Sequence, residues 1–154
     1  MSGRQKMMAT GCLALVCVAV LAYAHCQVPC GIYGDSTRFT MMREHVTTIE
    51  KSMKEIEHIG AAASANSNQL VRWVSNKEAH ADELARIVTA YFMAQRIKPV
   101  AVDRKEAYAK YVKEVTLLHQ ILVYSMKTKQ STTLEHCGEL RSLIDQFEKS
   151  YTTK

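Results

Sequence analysis

The sequence predicts an all-α protein, an antiparallel four-helix bundle entered through a short non-helical hook. Three observations lead there. Only 6 Gly and 2 Pro occur in 154 residues of which 47% are hydrophobic, too few turn formers for a fold of many short strands. Beyond residue 35 the apolar residues recur every three or four positions, the period of a helix with one buried face. The breaks between these stretches are short, which makes consecutive helices antiparallel neighbours. A chain of this length holds one domain, divided here into residues 1–24 as leader, 25–34 as hook and 35–154 as bundle. The formal net charge is +5, but the cations are interleaved with acids and form no basic run, so no nucleic-acid partner is expected.

The leader reads MSGRQKMMATGCLALVCVAVLAYA. Arg4 and Lys6 precede an apolar stretch from about Ala9 to Leu21, and Ala22 and Ala24 are the small residues an A-x-A cleavage site needs. The apolar stretch is shorter than the roughly 18–20 residues of a membrane-spanning helix. The expectation is therefore a signal peptide and export across a membrane, to a periplasm, the cell exterior or a thylakoid lumen, with no stable membrane association after cleavage. Cleavage after Ala24 removes Cys12 and Cys17 and makes His25 the first residue, with a free α-amine.

Each helix has its own signature. In the first, from Ser36 to Gly60, Met42, Val46, Ile49, Met53 and Ile56 step by four, three, four and three. The polar stretch GAAASANSN interrupts the pattern, and a second helix is predicted from about Ser67 to Ile97, burying Leu70, Val74, Leu84, Ile87, Val88 and Tyr91. Pro99 forbids its straight continuation. The third is predicted to start at Asp103, where Asp103 and Glu106 have the spacing of a capping box, and to bury Tyr108, Tyr111, Val112, Val115, Leu118 and Leu122. The fourth repeats that logic, with Thr132 and Glu135 as cap and Leu140, Ile144, Phe147 and Tyr151 as inner stripe.

Most chemistry-bearing residues of the bundle read as scaffold. A di-iron bundle needs Glu-x-x-His on two helices, and only Glu55 with His58 has that spacing, so the pair reads as surface. His136 and Cys137 are adjacent in a helix and point about 100° apart, unable to chelate one ion. Cys137 reads as a small buried residue, and His45, His58, His80 and His119 as single exposed or hydrogen-bonded histidines. Trp73 reads as core or interface.

The hook is different, because His25-Cys26-Gln27-Val28-Pro29-Cys30 concentrates donors. Two Cys at this spacing could form a disulfide in an oxidising compartment, and a zinc knuckle would need two further ligands. With His25 at the amino terminus, one loop offers an α-amine, an imidazole, the backbone nitrogen of Cys26 and two thiolates. The amine, that nitrogen and the Cys26 sulfur close small fused chelate rings. Planar N and S ligation suits Ni(II) or Cu(II), whereas Zn(II) prefers a tetrahedron. The imidazole stays free to approach axially, and such strong donors should stabilise an oxidised Ni(III).

HCQVPCGIYGD resembles the hook of nickel-containing superoxide dismutases, H-C-x-x-P-C-G-x-Y at the start of the mature chain and followed by a four-helix bundle. His25, Cys26, Pro29, Cys30, Gly31 and Tyr33 match it with their spacing intact. The resemblance implies a nickel cofactor, superoxide as substrate, disproportionation to dioxygen and hydrogen peroxide through Ni(III)/Ni(II) cycling, and a homohexamer. It implies that His25 supplies amine and axial imidazole, Cys26 its amide nitrogen and a thiolate, and Cys30 the second thiolate. Pro29 is implied to follow a cis peptide bond, Tyr33 to stand beside the open axial position, and Tyr91 to support it. Family members hold the axial His with an early acidic residue of the first helix and an Arg of the second. Met42 and His80 stand nearest those positions here, leaving Glu44 and His80 as candidates for that task. The alternative is an exported, non-catalytic helical bundle that binds a partner or carries metal, with Cys26 and Cys30 joined as a disulfide.

Overall fold

The structure, a computed structural model, describes residues 34–62 and 66–153. The leader and the hook residues His25, Cys26, Pro29, Cys30 and Tyr33 lie outside the described residues, and the chain's second compact unit begins at Gly31. Four helices and no strand occur among the described residues. They are α1 (Asp35–Ala61), α2 (Ser67–Arg86, continued by a π-helical segment Ile87–Arg96), α3 (Lys105–Gln130) and α4 (Glu135–Thr152). None of these is long and apolar enough to cross a membrane.

Every neighbouring pair runs antiparallel. Asp35 at the start of α1 meets Tyr91 at the end of α2 and Tyr151 at the end of α4. Lys77 of α2 reaches the last carbonyls of α3, and Lys110 near the start of α3 reaches Thr153 after α4. The seam of α1 is Phe39, Met42, Val46, Ile49 and Met53, all essentially inaccessible. It packs on Leu84, Val88 and Phe92, on Leu117, Leu118 and Ile121, and on Leu140, Ile144 and Phe147 in one continuous core. Burying a side chain of this size contributes about 1.5–3 kcal/mol. Surface ion pairs such as Arg43 with Asp145 at 2.7 Å and Arg141 with Glu50 at 2.6 Å add less than about 1 kcal/mol each.

Four local expectations are corrected. Val74 is 39% exposed and Val112 is 42% exposed. The α2 seam runs instead through Lys77 and Ala81, and the α3 seam through Glu114, Ser125 and Thr128. Polar residues on a buried line hide its true direction from a hydrophobic pattern. Neither capping box forms. Helix α3 begins at Lys105 after Arg104, with the Asp103 carbonyl accepting from the Lys105 N–H in the preceding turn. Helix α4 begins at Glu135, and the Thr132 hydroxyl is spent on Glu57 of α1.

Lys77 shows how a charged residue enters the seam. Its ammonium donates to the carbonyls of Thr128 (2.8 Å), Lys129 (2.6 Å) and Ser131 (3.2 Å). Those groups terminate α3 and have no partner within their own helix. Burial pulls the Lys77 pKa down, and the three carbonyls offset that cost by hydrogen bonding the charged form.

Candidate functional site

The first residue of α1, Asp35, directly follows the hook and is the centre of a polar hub. Its Oδ1 accepts from the Tyr91 hydroxyl at 2.5 Å and lies 3.0 Å from Arg96 Nε. Its Oδ2 accepts from the Tyr151 hydroxyl at 2.9 Å. Arg96 Nη2 also donates to the Tyr91 oxygen at 2.8 Å, closing a triangle. The guanidiniums of Arg38 and Arg96 stand 5.1 Å and 4.9 Å from the centre of the Tyr91 ring. Burial, then the hydrogen bond to Asp35, raises both phenol pKa values, that of Tyr151 to about 12. Both phenols are therefore protonated donors at neutral pH. At the N-terminus of a helix the carboxylate also faces the positive end of the helix dipole.

The hub rests on an aromatic floor. Phe39 of α1 lies 5.0 Å from Phe92 and 5.6 Å from Phe147, while Phe92 meets Phe147 edge-on at 4.9 Å. The Tyr151 ring stacks against this group, 5.6 Å from Phe147. Its ring is thus held by packing and its hydroxyl by Asp35.

Tyr91 and Arg96 meet because the chain between them is wound wider than an α-helix. Five residues of α-helix turn a side chain about 140° away from its starting direction, which would send Arg96 off the face that holds Tyr91. In the π-helical segment the Ile97 backbone N–H bonds the Phe92 carbonyl, five residues back, at 2.9 Å, and the Gln95 side-chain amide adds a bond to the Ala90 carbonyl at 2.6 Å. Residues five apart are thereby stacked. The Thr89 hydroxyl bonds the Ala85 carbonyl at 2.9 Å, a side-chain competition that disturbs an α ladder. Such segments frequently mark functional sites.

Two of the histidines read as exposed or hydrogen-bonded are hydrogen-bonded to each other. His45 Nδ1 of α1 and His80 Nδ1 of α2 are 2.8 Å apart, with ring centres 5.1 Å apart. The ring separation is close to the N–N distance plus the two ring radii, so the nitrogens face each other along a line and share one proton. The buried Nε2 of His45 has no hydrogen-bond partner among the described residues. A buried N–H left without an acceptor costs more than a bare nitrogen, so His45 donates through Nδ1 and His80 accepts. Burial, then the neighbouring His80, lowers the His45 pKa.

The other sequence-singled residues are scaffold. Met42, nearest the family's acidic position, is fully buried in the core, while Glu44 is exposed. His58 and His119 are exposed, Glu55 is half-buried, and Trp73 is half-buried with the Lys51 ammonium 5.8 Å from its ring. His136 meets the edge of Tyr124. Cys137 is inaccessible, its sulfur 3.7 Å from that of Met53, and burial pushes its thiol up to about 11. It stays a protonated core thiol. Among the described residues no three His, Cys, Asp or Glu side chains are grouped to hold a metal ion.

Sequence reasoning named Tyr91 but missed Asp35, Arg96 and Tyr151. Asp35 carries one signal, its place immediately after the hook. Arg96 has none, because a spacing of five from Tyr91 is out of phase with an α-helix.

No curated protein and no solved structure matches the chain. A family model does, over residues 20–154, and its description is nickel-containing superoxide dismutase.

Proposed function

The chain belongs to the nickel-containing superoxide dismutase family, and from that premise we propose that His25, Cys26 and Cys30 hold the metal, with Tyr33 beside it. The family makes this chain an enzyme whose substrate is superoxide and whose cofactor is nickel. The observation that carries the site assignment is the intact H-C-x-x-P-C-G-x-Y spacing inside the matched region. The donor set fits nickel: an amine, an amide nitrogen and two thiolates from neighbouring residues suit a planar ion.

When bound, nickel supplies a one-electron couple that superoxide can both reduce and oxidise. The chain's own residues do the rest. The α-amine of His25 would exist only once the bond after Ala24 has been cut, since until then that nitrogen is part of a peptide bond. The His25 imidazole would be a further donor to the metal. The hydroxyl of Tyr33 would orient superoxide, and Tyr91, held by Asp35 and Arg96, would support that role. Removal of residues 1–24 during export would expose the amine and deliver the protein across a membrane in one event. Assembly as a homohexamer would cover the hook with neighbouring surface.

The test is nickel analysis coupled to a superoxide assay on protein whose mature N-terminus has been sequenced. The expected result is a chain that begins at His25, holds one nickel and turns over superoxide. A chain that begins elsewhere, holds zinc without nickel, or carries a Cys26–Cys30 disulfide and no activity overturns the assignment.

A further inference from the structure

We propose that Tyr151 and Arg96 are positioning residues for the nickel-binding hook, acting through Asp35; this rests on the ligand assignment above. Once cleaved after Ala24, the hook would be joined covalently to the bundle at one point, the backbone entering Asp35. How steadily its ligands are presented therefore depends on how firmly Asp35 is held. Chain length bounds the distance: Cys30 is five residues from Asp35, so no more than about 18 Å can separate them.

Left to itself, Asp35 would be a weak anchor. It is the first residue of a helix, where backbone N–H groups lack intrahelical partners and fraying begins. Gly34 precedes it and brings no capping side chain. The structure compensates with side chains from two distant parts of the chain. Tyr91 and Arg96 hold Oδ1, and Tyr151 holds Oδ2. With both oxygens engaged, the carboxylate cannot rotate without breaking a charge-assisted hydrogen bond. Tyr151 is well fixed for the task, with its ring against Phe39, Phe92 and Phe147. The last turn of α4 thus steadies the root of the hook, although it lies 116 residues from Asp35.

Tyr151→Phe keeps the ring packing and removes only the hydroxyl, while Asp35→Asn keeps the shape and weakens all the contacts. Ile121→Val, a change in the fully buried core, serves as a control that lowers stability without touching the hub. The measurement is the rate at which a chelator strips nickel from holoenzyme beginning at His25, alongside thermal unfolding of the same proteins. Loss of one hydrogen bond to a charged group should speed nickel release about tenfold in Tyr151→Phe, and more in Asp35→Asn. The control should unfold at a lower temperature yet release nickel at the wild-type rate. Wild-type release from both hub variants, or equally fast release from the control, overturns the inference while leaving the ligand assignment standing. A wild-type protein that takes up no nickel overturns both.

Discussion

Lys77 and Asp35 each gather several hydrogen bonds around one charge, at two ends of the same bundle, and they serve different ends. The Asn76 side chain beside Lys77 touches Ser52, about 25 Å along α1 from Asp35. All three short contacts of Lys77 are backbone carbonyls at the terminus of α3, and its side chain is 5% exposed. Asp35 is held by side chains from two other elements, and its own side chain is 37% exposed. A charge sealed on backbone groups finishes a helix and can do little else. A charge shared among side chains at the solvent edge, directly after the proposed metal-binding hook in sequence, can transmit the position of one element to another.

The sharpest way to separate the two ends is to remove the proposed metal donors. Cys26→Ser or Cys30→Ser is expected to abolish superoxide turnover, since either loses a thiolate, while thermal unfolding of the bundle stays unchanged. Retained turnover in both variants would show that the hook does not hold the metal. The converse change is Lys77→Met, which keeps most of the stem and uncaps α3. It should cost about 2 kcal/mol in urea unfolding and leave nickel content and turnover at wild-type values well below the unfolding temperature. A large loss of activity would mean that the ends are coupled.

The smallest effect belongs to the pair between the ends, His45 and His80. The folded-state pKa of His45 lies below its ordinary value of 6.5, so the folded protein resists the proton that the unfolded chain accepts. Stability from this source is complete above about pH 7 and falls as pH drops through the ordinary histidine range. It levels off beneath the folded-state pKa. Unfolding midpoints measured between pH 7.5 and pH 5 should decline, and His45→Asn should flatten that slope. An unchanged slope would mean that other groups set it.

The parts legible in the sequence are those where one residue type repeats at one period. The α1 seam could be read because Met42, Val46, Ile49 and Met53 are apolar and in phase, and the hook because its donors are contiguous. Ser125 and Thr128, whose hydroxyls are satisfied by carbonyls of their own helix, were not legible as seam residues, nor were Lys77 and Glu114, since their polar groups meet partners from other helices. The same holds for the His45–His80 contact and for Asp35 with Tyr151. Such pairings exist only once the bundle has brought remote segments together. The change of winding after Arg86 carries no compositional mark beyond Thr89.

That change of winding bears on how the chain can vary over evolutionary time. Tyr91 and Arg96 are five residues apart and meet only because the ladder between them is wide. A homologue lacking one residue between them would place the same two side chains at i and i+4, neighbours on an ordinary α-helix. A single deletion there should therefore be accompanied by normal helical winding and a preserved hub, whereas a single insertion should break it. Exposed Met93 and Ala94 are free to drift in identity, so selection in this stretch should act on spacing more than on side chains.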